Sequence, residues 1–335
     1  MPAALEGEVL PQILKFPQSS SSSPISNRRR SEQSPKKIGR KMGNPRGRDW
    51  MKLFFIYGTD EWLKIGFLIF NAISFIAITI LLQIYFSPFI SFLHSLLPSL
   101  PTSALRCSAA FAGSVLAVSA LLLLIAAANI LYSSLPLRWL MAHRMIAAVP
   151  DWSAVRTALD LGCHRGILLN VVALQLKKQG SSGRVVGLDA SRKTAIAALR
   201  RARAEGVQKY VTCREGDARR LPFAGGNFDV VVSAIHLSGI GRHSRRDSPA
   251  ASSAERVRGL AELVRVLKPG GIGVVWDLVF VPEFAQRLKE MGMEEVRVSG
   301  SVTAYLTRSH MVSFRKPLTA AGAEVALQDW RVDIG

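Results

Sequence analysis

Two long uncharged stretches dominate the hydrophobic pattern of this chain. Ile65–Phe86 runs 22 residues without a charge, and Ala109–Leu131 is a second such run with the apolar block Leu121–Ile125 at its centre. At about 1.5 Å per residue the first would form a helix roughly 33 Å long, the thickness of a bilayer core. Tyr85, Phe86, Tyr132 and Trp139 lie near the ends, where aromatic rings favour the membrane interface. The pattern predicts a transmembrane hairpin over 53–137, with spans at about 65–86 and 109–131. The alternative is a pair of buried core helices, which a soluble domain seldom needs so close together.

From Val155 the texture changes to short β-type runs alternating with helical stretches. Val155–Leu161, Arg184–Leu188, Tyr210–Cys213, Phe228–Ser233 and Gly271–Trp276 read as strands. Ile167–Gly180, Lys193–Glu205 and Ser252–Leu267 read as helices between them. Glu294–Val298 and Met311–Arg315 add two terminal strands. This βαβ alternation predicts an α/β domain over 138–317 with a mainly parallel, seven-stranded sheet, followed by a tail over 318–335.

Charge adds a direction. The net charge is +19, divided as +7 over residues 1–52, zero over 53–137 and +12 beyond. Basic residues crowd before the first run, while the connection between the runs carries only Arg106 and His94. The positive-inside rule then places both ends on the cytosolic, or equivalent cis, side of the membrane. The basic flanks suit an anionic lipid surface. They lack the interleaved aromatics of a nucleic-acid binder, so nucleic acid is not the expected partner. Residues 1–52, with Ser19–Ser23 and Arg28–Arg30, read as disordered. A transit peptide to an organelle is the competing reading of that Ser- and Arg-rich stretch, although Glu6, Glu8 and Glu32 do not suit it. Cys107, Cys163 and Cys213 are scattered and odd in number, giving neither a disulfide framework nor a metal pattern. Nothing in the sequence sets an oligomeric state.

Candidate chemistry gathers where the first strand turns into a helix, at Leu159-Asp160-Leu161-Gly162-Cys163-His164-Arg165-Gly166. Glycines in such a turn let backbone approach a ligand, and the helix N-terminus offers unpaired N–H groups. The second strand ends in Asp189, 23 positions after Gly166. An acid there can accept from both ribose hydroxyls, or can simply cap the next helix. Gly216-Asp217-Ala218, the strand Phe228–Ser233, and Glu262 through Lys268-Pro269-Gly270-Gly271 complete the series. In order and spacing, from about Thr157 to Val275, it resembles class I S-adenosylmethionine-dependent methyltransferases. Within them it is similar to the subgroup that includes the ubiquinone/menaquinone-biosynthesis enzymes. Tyr57-Gly58-Thr59-Asp60 ahead of two spans resembles a membrane-anchored branch of unassigned substrate.

That resemblance implies a Rossmann-like methyltransferase domain with S-adenosylmethionine as cofactor and a small or lipid acceptor. It implies that Asp160, Gly162 and Gly166, with Cys163 between them, shape the methionine pocket. Asp189 would bind the ribose, Asp217 and the Ala218 N–H the adenine, and Ser233 would sit where cofactor and acceptor meet. A nicotinamide dehydrogenase also uses a glycine turn and a ribose acid, but it does not account for the later Gly-Asp-Ala and Leu-Lys-Pro-Gly-Gly elements. One departure stands out: His164 occupies a position that is usually glycine, which argues for weakened cofactor binding or a shifted loop. It also motivates a second reading, a cofactor-binding or scaffold protein without transferase activity. His236, just past Ser233, is the candidate general base, or alternatively a structural histidine in the loop. Gly241–Ser253, rich in Arg and Ser, reads as a solvated loop or as a lid.

Overall fold

The computed structural model describes residues 50–58, 61–241 and 249–318. Residues 1–49, Thr59-Asp60, most of the arginine-rich loop and nearly all of the C-terminal tail lie outside the described residues, and with them the transit peptide and most of the disorder expected over 1–52; at Trp50–Lys52 that expectation fails, because a helix begins there.

Helix α1, Trp50–Tyr57, leads into two long apolar helices, α2 (Trp62–Ile84) and α4 (Thr102–Tyr132), with α3 (Phe86–Leu96) in the connection. The sequence reading left that connection without an element. Pro88 falls in the first turn of α3, where a missing N–H costs nothing. Phe86, Ile90 and Leu93 form a helical stripe that packs on Leu105 and Ala109 of α4. Both long helices are long and apolar enough to cross a membrane, by length and composition. Their outer faces leave Phe67, Phe70, Ile73, Leu121, Leu122 and Ile125 exposed.

The second long helix does not end in a loop. It passes through one π-helical turn, Ser133–Leu137, into α5, Arg138–Ala147. Pro136 lies in that turn and cannot donate a backbone hydrogen bond, which is the usual occasion for a helix to widen locally. Leu135 and Leu137 are fully buried in the same core as Leu53 and Tyr57 of α1. The apolar hairpin is therefore packed into the α/β domain at both of its ends.

That domain contains β1 (Thr157–Leu161), α6 (Ile167–Lys178), β2 (Arg184–Asp189), α7 (Arg192–Ala204), β3 (Val211–Glu215), β4 (Phe228–Ala234), α8 (Pro249–Val266), β5 (Leu267–Asp277), α9 (Val281–Glu290), β6 (Glu294–Val298), β7 (Val302–Ala304) and β8 (Thr307–Arg315). The sheet order is β3-β2-β1-β4-β5-β8-β6, with β7 paired to β8. The first five strands are parallel. The last strand runs antiparallel to both of its sheet neighbours. The sheet is thus mixed and eight-stranded, where the sequence predicted seven mainly parallel strands. The eighth strand, β7, owes its pairing to Tyr305-Leu306, both at positive φ, which form a two-residue turn between paired Ala304 and Thr307. A turn of that kind can only fold β8 back antiparallel on β7.

Val230, Val232 and Val274 face one core with α5, α6 and α7, while Val231 and Val275 face the other with α8 and α9. Several motif residues prove to be architectural. Asp229 Oδ2 accepts from the Arg156 and Thr157 amides at 2.9 and 2.8 Å, and Oδ1 accepts from Lys268 Nζ at 2.6 Å. Glu262 Oε2 accepts from the Leu221 amide at 2.8 Å, and Arg265 donates to the carbonyls of Leu221 and Phe223. The Asp229 links tie β1, β4 and β5 together at their amino ends, and the Glu262 and Arg265 links fix α8 to the segment before β4.

Candidate functional site

The turn after β1 is built as the glycine spacing requires. Gly162 and Gly166 both have φ near +76, and Gly166 caps α6. The amides of Gly162 and Cys163 donate to the Leu188 carbonyl at 2.9 and 3.0 Å, tying the turn to the end of β2. His164 takes φ +42, the left-handed conformation that glycine would supply. Its amide donates to Asp189 Oδ2 at 3.0 Å, and its ring Nδ1 lies 3.7 Å from the same oxygen. The histidine holds that left-handed conformation and engages the acid expected to hold a ribose.

Asp160 is the most unusual group here. It is fully buried, and neither carboxylate oxygen has a partner at full hydrogen-bond geometry; only the Leu169 backbone offers partial relief to its charge. Burial, with the nearby Asp189 charge adding to it, raises its pKa to about 8. A buried carboxylate without a donor is costly unless a cationic group joins it. It shares a cavity of about 20 Å³ with Arg138, Gly162, Cys163, His164, Arg165 and Ala234. The α-ammonium of S-adenosylmethionine would satisfy it, so the donor and acceptor chemistry of the turn fits that cofactor.

Space is the constraint. The His236 ring lies over Gly162, where even an added Cβ would collide with it. It makes an edge contact with the His164 ring at 5.5 Å between centroids. A cavity of that size holds about one water, and the His236 ring takes up the space over Gly162 beside it. Burial, reinforced by the His164 imidazole, lowers the His236 pKa to about 4, against the opposing charges of Asp189, Asp277 and Asp217. The ring is neutral near pH 7 and can accept a proton, though weakly.

The remaining predicted residues are placed as follows. Gly216 donates its amide to the Asp189 carbonyl at 3.0 Å, which brings Asp217 and Ala218 to the rim beside β2. Asp217 is paired with Arg219 at 2.7 Å, and that hydrogen bond lowers its pKa. Ala218 is buried. Ser233 is fully buried, and its hydroxyl donates to the Leu161 carbonyl at 2.9 Å, so it joins β4 to β1 and does not project toward a ligand. Cys163 is buried against Cys213, and that contact together with burial raises its thiol pKa. Among the described residues no three His, Cys, Asp or Glu side chains gather as a metal site.

Two residues at the site escaped the sequence reading. Asp277, at the end of β5, is fully buried and accepts from the Ser238 amide at 2.9 Å, which fixes the loop that carries His236. The rule that ligands gather at strand carboxyl ends would have found it one residue beyond the predicted strand. Arg138 lines the Asp160 cavity, but its place after an apolar run reads only as a topology charge.

Comparison with known proteins agrees with this geometry. Residues 158–271 match a family described as a methyltransferase domain. The chain is 35% identical over 119 residues to the demethylmenaquinone methyltransferase of Lactobacillus johnsonii, covering 35% of this chain and 42% of that one. It is 35% identical over 125 residues to the chloroplastic 2-phytyl-1,4-beta-naphthoquinone methyltransferase of Arabidopsis thaliana, covering 36% of this chain and 42% of that one. With the demethylmenaquinone methyltransferase of Thermus thermophilus it shares 29% identity over 163 residues, 46% of this chain and 67% of the relative. The chain thus spans about two fifths of the first two relatives' length. The segment 158–271 thus matches a methyltransferase domain, and the relatives that align with it are named methyltransferases.

Proposed function

We propose that the chain is a membrane-anchored S-adenosylmethionine-dependent methyltransferase whose acceptor is a small, lipophilic, quinol-type molecule. The observation that carries the reading is the buried, unpartnered Asp160 beside Asp189, at the carboxyl ends of β1 and β2. Quinone-type acceptors are supported by the relatives, which are named as demethylmenaquinone and phytyl-naphthoquinone methyltransferases. A membrane is supported by the two apolar helices.

When bound, the cofactor supplies an electrophilic methyl on sulfur, and the protein's task is alignment. In this reading Asp160 receives the cofactor's ammonium, Asp189 its ribose hydroxyls, and Asp217 with the Ala218 N–H its adenine. His236, neutral and facing the turn, takes a proton from the acceptor oxygen or carbon as the methyl arrives. The catalytic domain faces the cytosolic or equivalent cis side, in the plasma membrane or in an organelle.

A second reading is favoured by one observation: the His164 and His236 rings close the turn. It holds that the chain binds the cofactor, or acts as a scaffold, without transferring a methyl. The decisive experiment supplies S-adenosylmethionine with a labelled methyl to membranes containing wild-type or Asp189→Ala protein. Label in a quinol-type lipid with wild type alone supports the proposal. Equal labelling by both proteins removes Asp189 from the cofactor site. Cofactor binding by calorimetry with no label in any extract supports the second reading.

A further inference from the structure

We propose that the domain sits on the bilayer with the carboxyl edge of its sheet turned toward the lipid, so that an acceptor reaches the cofactor turn from the membrane itself. This rests on reading α2 and α4 as spans, and it specifies a geometry that anchoring alone does not require. A domain on a flexible tether could present any face.

Contacts on the entry side, contacts on the exit side and the sheet register together fix that face. On the entry side, α1 ends at Tyr57 and the first span starts at Trp62. The Tyr57 carbonyl accepts from Arg165, which lies inside the glycine turn between His164 and Gly166. The Tyr57 hydroxyl accepts from Asn170 of α6 at 2.9 Å, and the Ile56 carbonyl accepts from Arg201 of α7 at 3.2 Å. The turn is therefore gripped by the segment immediately before the membrane.

The exit side is gripped as firmly. Asn129 Oδ1, in the last turn of α4, accepts from the Leu306 amide at 2.9 Å. Ser133 Oγ accepts from the Tyr305 amide at 3.0 Å. Arg138 Nε donates to the Tyr305 hydroxyl at 3.1 Å, and its guanidinium lies over the same ring. Arg138 also lines the Asp160 cavity. One side chain thus touches both the hairpin docked on the span and the cavity of the turn.

The sheet register supplies the third element. His310 pairs with Asp277 at the carboxyl end of β5. Leu306 lies four residues farther out, roughly 13 Å beyond that edge at strand rise. The β7–β8 hairpin therefore projects past the edge where the ligand residues sit, and its tip meets the end of a span. Leu306 at that tip is 57% exposed, and Val279, in the loop after β5 on the same edge, is 59% exposed. Apolar side chains in such a place are suited to the interfacial layer, with Tyr305 at headgroup level. An acceptor with an apolar tail would keep the tail in the bilayer and raise only its polar head to the turn.

The test uses the full chain reconstituted in phosphatidylcholine vesicles containing anionic lipid. Single cysteines are introduced as Leu306→Cys, Val279→Cys and Lys209→Cys. Lys209 is exposed just before β3, at the opposite edge of the sheet. Wild-type protein gives the background from the three native cysteines, and near-ultraviolet circular dichroism checks each variant's fold. Alkylation by a charged maleimide is expected to be at least tenfold slower at 306 and 279 than at 209, while a lipid-soluble maleimide reverses the order. Equal rates at all three positions in a carbonate-resistant protein overturn the orientation and leave the methyltransferase reading intact. Release of the chain from vesicles by alkaline carbonate overturns the orientation together with its membrane premise.

Discussion

At the scale of single residues, the site stores its cofactor preference as an unmet electrostatic need. Burial first, then the Asp189 charge, lifts the Asp160 pKa to about 8. The unfolded chain ionises this carboxyl near pH 4, so the folded state holds the extra proton between about pH 4 and 8. Stability from this group therefore falls as pH rises through that window and levels off above it. A cationic ligand that needs the ionised form must expel the proton. Cofactor binding at pH 7 should release a proton, seen by calorimetry in buffers of different ionisation enthalpy, and affinity should rise with pH up to about 8. The release should vanish in Asp160→Asn; a wild-type affinity flat from pH 6 to 8 would contradict this account. His164→Gly should bind the cofactor a few-fold more tightly, because the backbone loses its strained left-handed residue and Asp189 loses a competing ring. Weaker binding by calorimetry would instead make His164 a ligand. The positive-φ glycines and the positions of Asp160 and Asp189 on neighbouring strands were legible because their spacing is local. Ser233 was not, because a serine at a strand end reads the same whether it faces a ligand or donates to a neighbouring strand.

Among elements, the motifs that most strongly suggested a methyltransferase do mechanical work away from the ligand. Asp229 gathers two amides, a hydroxyl and the Lys268 ammonium at the amino ends of β1, β4 and β5. Burial opposes its ionisation, yet Lys268 and the amides win and hold its pKa below the ordinary carboxylate value. Its stabilising contribution is present above the ordinary carboxylate range and is lost as pH falls through the depressed value. Asp229→Asn should lower stability by about 2 kcal/mol, since a charge-assisted hydrogen bond is lost and a donor amide faces backbone donors. Urea melts at pH 7 measure this, and an unchanged midpoint would refute it. Strands β1 to β6 were readable from alternating or continuous apolar runs. Helices α3, α5 and α9 and strand β7 were not, because a three-residue strand and short helices beside apolar runs carry too little periodicity. The π-helical turn was invisible for another reason. Ser133-Ser134 and Pro136 spell a linker in sequence, while the structure buries Leu135 and Leu137 and makes the segment a joint.

In the whole molecule, the apolar hairpin and the α/β domain share a core. The sequence separated them by composition, which cannot reveal that Leu53, Tyr57, Leu135 and Trp276 belong to one cluster. Orientation across a membrane can be checked directly: a glycosylation acceptor introduced near Pro98 should be modified in a microsomal assay, and modification of a C-terminal acceptor would reverse the topology. The unbroken helical path from Thr102 to Ala147 has a mechanical consequence. A span that ended in a slack linker could tilt freely to match its surroundings. Here, tilting α4 to suit a thinner or thicker bilayer would also move Arg138, which lines the Asp160 cavity. Turnover should therefore depend on acyl-chain length in reconstituted vesicles, with an optimum near the natural hydrophobic thickness. Replacing Ser133-Ser134 by a glycine-rich insert should flatten that dependence, and through this joint the lipid would act as a setting on the enzyme as well as its solvent.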